Sequence, residues 1–190
     1  SANSKMKPLI SIVIPSNNRT ELLDEAILSI ITASGWNSDC ELCISDNSIG
    51  HGTENLIRNK YSGIPQIVYR RSLDAPTLDE NVNMAISMAS GEYVWIFGDD
   101  DLVVEDFLTE LITYLKSSSP DIVILNSCSF QEQGQVEASR LALDSLIVYG
   151  PNDNDSFLTD QGAYLTYVGC VVIRKKLWEK CFRTEKVGTF

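Results

Sequence analysis

Apolar runs of strand length alternate with stretches of helical periodicity along this chain, and that alternation limits its fold more than any other feature. Leu9–Ile14, Leu42–Ser45, Gln66–Arg70, Glu92–Phe97 and Asp121–Leu125 read as strands, mostly rich in β-branched and aromatic residues. Between them lie apolar stripes at helical spacing: Leu22, Leu23, Ala26, Ile27 and Ile30; the segment Thr53–Tyr61; Val82, Ala85, Ile86 and Ala89; then Phe107, Leu108, Leu111, Ile112 and Leu115. Strand and helix in turn, joined by short connections, predict an α/β fold with a largely parallel sheet. Pro15 is expected to end the first strand, Thr20-Glu21 to cap the first helix, Thr77 or Asp79 to start the third, and Gly91 to terminate it. After Ser127 the pattern weakens. Gln131–Asp160 is polar, broken by Gly134, Gly150 and Pro151, and reads as a long mobile excursion with an amphipathic piece at Ala138–Val148. A last strand, Cys170–Ile173, precedes a helix around Lys175–Cys181.

One strand stops abruptly on acid, at Gly98-Asp99-Asp100-Asp101. Two like charges about 4 Å apart repel by roughly 4 kcal/mol at an effective dielectric near 20. In extended backbone Asp99 and Asp101 share one side and Asp100 takes the other. Such a cluster needs a cation, a shared proton or water. Hard oxygens favour Mg2+, Mn2+ or Ca2+ over zinc, and Mg2+ fills most of its shell with water and phosphate oxygens. One reading is therefore a metal bridging the protein to a nucleotide diphosphate, outside the carboxyl ends of the strands. The other, on the triplet alone, is a solvated acidic loop that suits the start of the next helix.

Composition excludes several classes. With 15 basic and 26 acidic side chains the 190 residues carry a net charge of −11, the wrong sign for a nucleic-acid binder. Arg174–Lys186 is the exception, with six basic and two acidic residues. It reads as a solvated helix face, with a membrane-facing or acceptor-facing patch as the alternative. The five cysteines are odd in number and sit mostly in apolar runs; Cys40 and Cys43 have CxxC spacing but no second pair follows, so buried free thiols in a reducing compartment are expected. No run of 18 apolar residues and no signal peptide is seen. A cytoplasmic protein is expected, peripheral at most to the inner face of a membrane. Ser1–Lys5 read as a disordered or artificial leader.

Four motifs, in order, resemble those of glycosyltransferase family 2. Ile12-Val13-Ile14-Pro15-Ser16-Asn17-Asn18-Arg19 is similar to that family's opening strand and P-T/S-x-N-R loop. Ile44-Ser45-Asp46-Asn47-Ser48 resembles its V-D-D-G-S, with Ser45 in place of one acid. Asn81 through Tyr93 resembles the N-x-g-i…A-x-G-e-Y approach to the metal motif, and Gly98–Asp101 resembles D-x-D-D in a G-D-D-D form. Later, Gly169–Arg174 with Leu177-Trp178 is similar to a strand and helix found in some members. The resemblance implies the GT-A fold, a Rossmann-like three-layer α/β/α sandwich with a mostly parallel central sheet, as a single domain over residues 6–190.

It also implies a chemistry: inverting transfer of a sugar from a nucleotide-diphosphate donor, a UDP-sugar, to a glycan or lipid-linked acceptor, with Mg2+ or Mn2+. Donor contacts are then expected from Pro15, Asn17, Arg19, Asp46, Arg71, Asn81, Asp99 and Asp100, and metal contacts from Asp101 and Asp99. Each has a plainer alternative: a turn residue for Asp46, a surface charge for Arg71, a satisfied polar residue for Asn81. His51, the only histidine, reads as exposed. Inversion requires a general base within hydrogen-bond reach of the acceptor hydroxyl. Asp153, Asp155, Asp160, Glu179 and Glu185 carry no motif, so the base is expected beyond Phe190 in a C-terminally truncated chain, with Asp160 the one candidate retained within it. Two rivals remain: a noncatalytic nucleotide-sugar module of the same fold, and a nucleotidyltransferase. Against the second, Pro15–Arg19 lacks the expected glycines.

Overall fold

A computed structural model of the chain describes residues 7–130, 136–139, 145–166 and 169–182. The expected leader, Glu185 and residues 140–144 of the proposed amphipathic piece at 138–148 lie outside the described residues. The element order is β1 (Ile10–Ser16), α1 (Thr20–Ile31), β2 (Cys40–Asp46), α2 (Gly52–Leu56), a π-helical turn (Ile57–Tyr61), β3 (Ile67–Arg71), α3 (Leu78–Met88), β4 (Tyr93–Ile96), α4 (Phe107–Ser118), β5 (Ile122–Ile124), β6 (Cys128–Phe130), β7 (Val136–Ser139), α5 (Asn154–Gln161), a 3-10 turn (Gly162–Thr166), β8 (Val171–Arg174) and α6 (Lys175–Phe182). Six strands form one sheet in the order β3-β2-β1-β4-β8-β5, and β6 and β7 form a separate hairpin. β1 to β4 run parallel, and β8 is antiparallel to both β4 and β5.

Every residue of β1, β2 and β4 is buried, which explains their near-continuous apolar sequence. The period-two pleat sorts them onto two faces. Ile12, Ile14, Leu42, Ile44 and Trp95 pack with Leu23, Ile27 and Ile30 of α1 and with Leu108, Leu111 and Leu115 of α4. On the other face Val13, Cys43, Val94 and Ile96 meet Ala85 and Ile86 of α3, and Trp178 of α6 packs against them. The result is the expected three-layer sandwich. Each such Ile or Leu contributes about 1.5–3 kcal/mol by leaving water. The CxxC pair is divided by the sheet itself, with Cys40 in one core and Cys43 in the other, both free thiols. Burial pushes the Cys43 thiol far above its ordinary pKa, so it stays protonated.

Several local expectations are corrected. β1 does not stop at Pro15; it continues to Ser16, with Pro15 opposite Ser45 of β2. The ring costs no ladder bond there, because pairing with β4 ends at Val13, whose carbonyl takes the Phe97 N–H. Thr20 does not cap α1: the cap position is Arg19, without a side-chain bond, and Thr20 Oγ1 meets Thr53 Oγ1 at 3.2 Å. The Thr53–Tyr61 helix opens into a π turn midway. There Asp24 of α1 takes the Lys60 ammonium and the Tyr61 hydroxyl. Thr77 does start α3, through a capping box with Glu80. The helix ends on Ala89 rather than Gly91. Gly91 serves a different purpose, since a Cβ there would lie 2.6 Å from Ser11 Oγ and 2.8 Å from the Ser11 nitrogen. Its N–H, with Ser90 and Ser11, hydrogen-bonds the buried Glu41 carboxylate. Among its described residues the polar excursion carries β7, which pairs with β6 just before it, and α5.

Candidate active site

The carboxyl ends of β1, β2, β3 and β4 share one edge of the sheet. The connections from β1 and β4 diverge between their adjacent strands, the position where open α/β sheets bind ligands. The loop after β1 forms one wall. Asn18 takes the left-handed conformation at φ 56°, which asparagine tolerates better than most residues. Its N–H donates to Ser48 Oγ (2.7 Å), its Oδ1 accepts from the Ile49 N–H (3.2 Å), and its Nδ2 donates to Asn17 Oδ1 (2.6 Å). This residue, absent from the expected donor contacts, zips the β1 loop to the β2 loop. The signal for it was the Asn-Asn pair at a turn.

Asp46 ends β2 and is 1% exposed. Its Oδ1 accepts from the Ser48 N–H (2.9 Å), the turn bond expected of the plainer reading, and its Oδ2 accepts from the Tyr69 hydroxyl (2.8 Å). Burial, with the Asp46 carboxylate beside it, pushes the Tyr69 phenol up. Asn81, 2% exposed, lies beneath both loops. Its Oδ1 accepts from Ser45 Oγ (2.7 Å) and its Nδ2 donates to the Ser16 carbonyl (3.2 Å), with Ser72 Oγ 2.8 Å from Ser45 Oγ. Both ends of the amide are thus spent on the strand ends. Arg71 folds over the β2 loop: Nη2 donates to the Ile49 carbonyl (2.9 Å), and Nη1 lies 3.2 Å from Glu54 and 2.5 Å from His51 Nδ1. His51 is exposed, as expected.

The acids after β4 do not alternate as an extended strand would have them. β4 ends at Ile96 and the backbone turns, with the Asp101 N–H on the Gly98 carbonyl (3.3 Å) and Asp101 Oδ2 accepting from the Gly98 N–H (3.2 Å). Asp99 and Asp100 share a partner: Arg19 Nη1 lies 3.2 Å from Asp99 Oδ1 and 2.9 Å from Asp100 Oδ2. Burial pushes the Asp99 carboxyl above its usual range, against the opposing pull of Arg19 and of the Asn17 N–H. Arg19, the Asn17 N–H, Asp99 and Asp100 are thereby brought together at the carboxyl ends of β1 and β4; Pro15 is buried within β1, Asp46 and Asn81 are buried in the neighbouring strand end and helix, and Arg71 covers the β2 loop. Three carboxylates in one turn suit a hard divalent cation. Among the described residues no group of three or more His, Cys, Asp or Glu side chains is placed to hold a metal ion.

The remaining acids stand elsewhere. Asp160 Oδ2 accepts from the Tyr149 hydroxyl (2.9 Å), Asp153 Oδ2 from the Gly150 N–H (2.8 Å), and Asp155 lies in the first turn of α5. Glu179 pairs with Lys175 (3.5 Å). That pair lies at the opposite edge of the sheet, in an open groove of about 710 Å3 also lined by Lys7, Glu92, Lys116 and Arg174. Arg174 is no solvated tail residue. It pairs with Glu92 and Asp121 and lies over the Tyr93 ring (4.8 Å). Arg183 to Lys186 of the basic stretch fall outside the described residues. No helix among the described residues is long and apolar enough to cross a membrane.

The profile of Glycosyl transferase family 2 matches residues 11–182, nearly the whole described sandwich. The chain belongs to this family. Abequosyltransferase RfbV of Salmonella typhimurium strain LT2 is 36% identical over 194 residues, covering 95% of this family 2 chain and 57% of the relative. The structure of Staphylococcus aureus TarS 1–349 in complex with UDP-GlcNAc superposes with a TM-score of 0.66 at 16% identity, over 92% of this chain and 47% of that one. Mannosyltransferase PcManGT of Pyrobaculum calidifontis, in complex with GDP-Man and Mn2+, gives 0.63 at 17% identity, over 92% and 47%. The fold is that of the GT-A glycosyltransferases, as expected. The chain spans about half the length of these proteins.

Proposed function

We propose that this family 2 chain carries the donor side of an inverting glycosyltransferase, which moves a sugar from a nucleotide-diphosphate sugar, a UDP-sugar, to a glycan or lipid-linked acceptor. The observation that carries the reading is the pairing of Arg19 with Asp99 and Asp100 across the crevice between β1 and β4. It sets a cation and hard-oxygen donors against each other where a diphosphate would lie. The guanidinium can offer paired N–H donors to phosphate oxygens. Asp46, held by Ser48 and Tyr69 and almost solvent-free, would take an N–H of the base on its remaining acceptor capacity once the β2 loop gives it access. Asp101 and Asp99 would hold Mg2+ or Mn2+, which neutralises charge on the leaving diphosphate. In the transfer, the bond from the sugar carbon to the phosphate oxygen breaks, the acceptor oxygen takes its place, and a base removes the acceptor proton. Within the described residues Asp160, which accepts from the Tyr149 hydroxyl, is the candidate retained for that base.

Calorimetric titration with UDP, with and without Mn2+, tests it, with CDP and GDP as comparison nucleotides. UDP is expected to bind tightly only with Mn2+, and Asp101→Ala to abolish that dependence. Absent binding, or binding indifferent to Mn2+ and to residue 101, sinks the reading. UDP-sugar hydrolysis then separates a transferase from the binding-only module that the engaged state of Asp153, Asp160 and Glu179 favours as second reading.

A further inference from the structure

Gly169 enters the candidate site from far downstream and touches it at three points. Its N–H donates to the Ile96 carbonyl (2.8 Å), the last residue of β4, and its carbonyl accepts from the Trp95 indole N–H (3.0 Å). The third contact is with Asp101. A Cβ on Gly169 would lie 2.4 Å from Asp101 Oδ2, and one on Gly98 would lie 2.6 Å from the same oxygen. Real Cβ atoms do not approach that closely, so the carboxylate occupies a space that exists only because both residues lack a side chain. Trp95 fixes the clamp from below. Its ring stacks edge-on against Phe97 (5.0 Å) and Phe107 (5.9 Å), which orients the indole donor.

We infer that Gly169 is a positioning residue for Asp101: the clamped, side-chain-free backbone at the start of β8 sets where that carboxylate sits in the acid turn, and so its presentation to a divalent cation. The inference rests on the metal-bridged donor reading above. Gly169 also has φ +97°, a conformation that favours glycine on its own account. That simpler requirement makes a different forecast. It predicts that an added methyl group costs the same stability whatever residue 101 is.

The test is a thermal double-mutant cycle with a metal readout. Gly169→Ala, Asp101→Ala and the double variant are compared with the parent chain for Tm, and Mn2+ affinity is read by electron paramagnetic resonance with UDP present. Gly169→Ala is expected to weaken Mn2+ binding about tenfold or more, as removing a group that orients a ligand does. Its Tm loss is expected to be smaller by about 4 °C or more in the Asp101→Ala background, where the displaced carboxylate is gone. Trp95→Phe keeps glycine and an aromatic ring but removes the indole donor. It is expected to weaken Mn2+ binding in the same direction, and decides the metal arm if Gly169→Ala does not fold. Unchanged Mn2+ affinity in these variants overturns the inference, as does an equal Tm loss in both backgrounds. A parent chain that binds no Mn2+ refutes the metal reading instead, and the thermal cycle alone then decides for or against the contact.

Discussion

Asn81→Asp converts the floor of the site into a pH-dependent fault. The amide makes two buried bonds, accepting from Ser45 Oγ at 2.7 Å and donating to the Ser16 carbonyl at 3.2 Å. A protonated aspartic acid can reproduce both, its hydroxyl replacing the N–H donor. An ionised one cannot, because a charged oxygen would face the Ser16 carbonyl at a position that is almost solvent-free, with no cation among its bonded partners. Burial of this kind raises a carboxyl pKa by about 3 units or more. At about 1.36 kcal/mol per unit, the ionised state costs roughly 4 kcal/mol at neutral pH. The sign follows from proton uptake. The folded state holds the proton more tightly than the unfolded state, so the loss is absent below the unfolded value near about pH 4 and grows as pH rises toward the raised folded value. For a chain of this size the loss lowers Tm by about 8–16 °C. Circular dichroism melts of Asn81→Asp and the parent chain from about pH 3.5 to 8 read it directly. The two should melt within a few degrees of each other in acid and diverge steadily above about pH 4.5. A difference that does not vary with pH would mean that residue 81 is hydrated or free to turn away, and the strut reasoning would be wrong.

Gly91→Ala forces a methyl group to within 2.6 Å of Ser11 Oγ and 2.8 Å of a backbone nitrogen that cannot yield, so a loss of about 2–3 kcal/mol is expected in chemical denaturation, with the slope unchanged. Asp24→Asn acts at the π turn. Burial raises the Asp24 carboxyl, but the Lys60 and Tyr61 bonds outweigh it and hold the group below its ordinary value. Its contribution, about 1 kcal/mol, is therefore present at neutral pH and lost as pH falls through that depressed value, so parent and variant melts should converge in acid.

What could be read from the sequence was whatever is encoded locally. Apolar runs such as Ile10–Ile14 and Leu42–Ile44 marked strands because both of their faces are buried, and Thr77 with Glu80 marked a helix start because capping is a matter of four residues. The order of Asn17, Arg19, Asp46, Asn81 and Asp99 pointed to the strand ends, where Arg19 meets Asp99 and Asp100. The geometry of the acid turn was not legible. Alternation along an extended chain paired Asp99 with Asp101, whereas the backbone turns at Gly98 and Arg19 gathers Asp99 with Asp100. Arg19 is eighty residues away from the acids it binds. The same distance hid the roles of Tyr69, Ser45 and Gly169, whose chemistry depends on which strand ends adjoin in space. Pro15 misled because a ring that ends most strands is harmless where one neighbour has already turned away.

The antiparallel strand β8 has a consequence for how this protein is made. It lies between β4 and β5, and in the described sheet β5 pairs with no other strand. Residues 125–170 separate the two. At a synthesis rate of about 5–20 residues per second, the ribosome takes on the order of 2 to 9 s to cross that interval. Throughout it β5 has no partner, and the sheet can be complete only from β3 to β4. The strand that ends this wait begins beside Gly169, against Asp101. Closing the described sheet and bringing Gly169 against Asp101 are therefore one late event, and in a nascent chain the acid turn meets that neighbour only when β8 is seated.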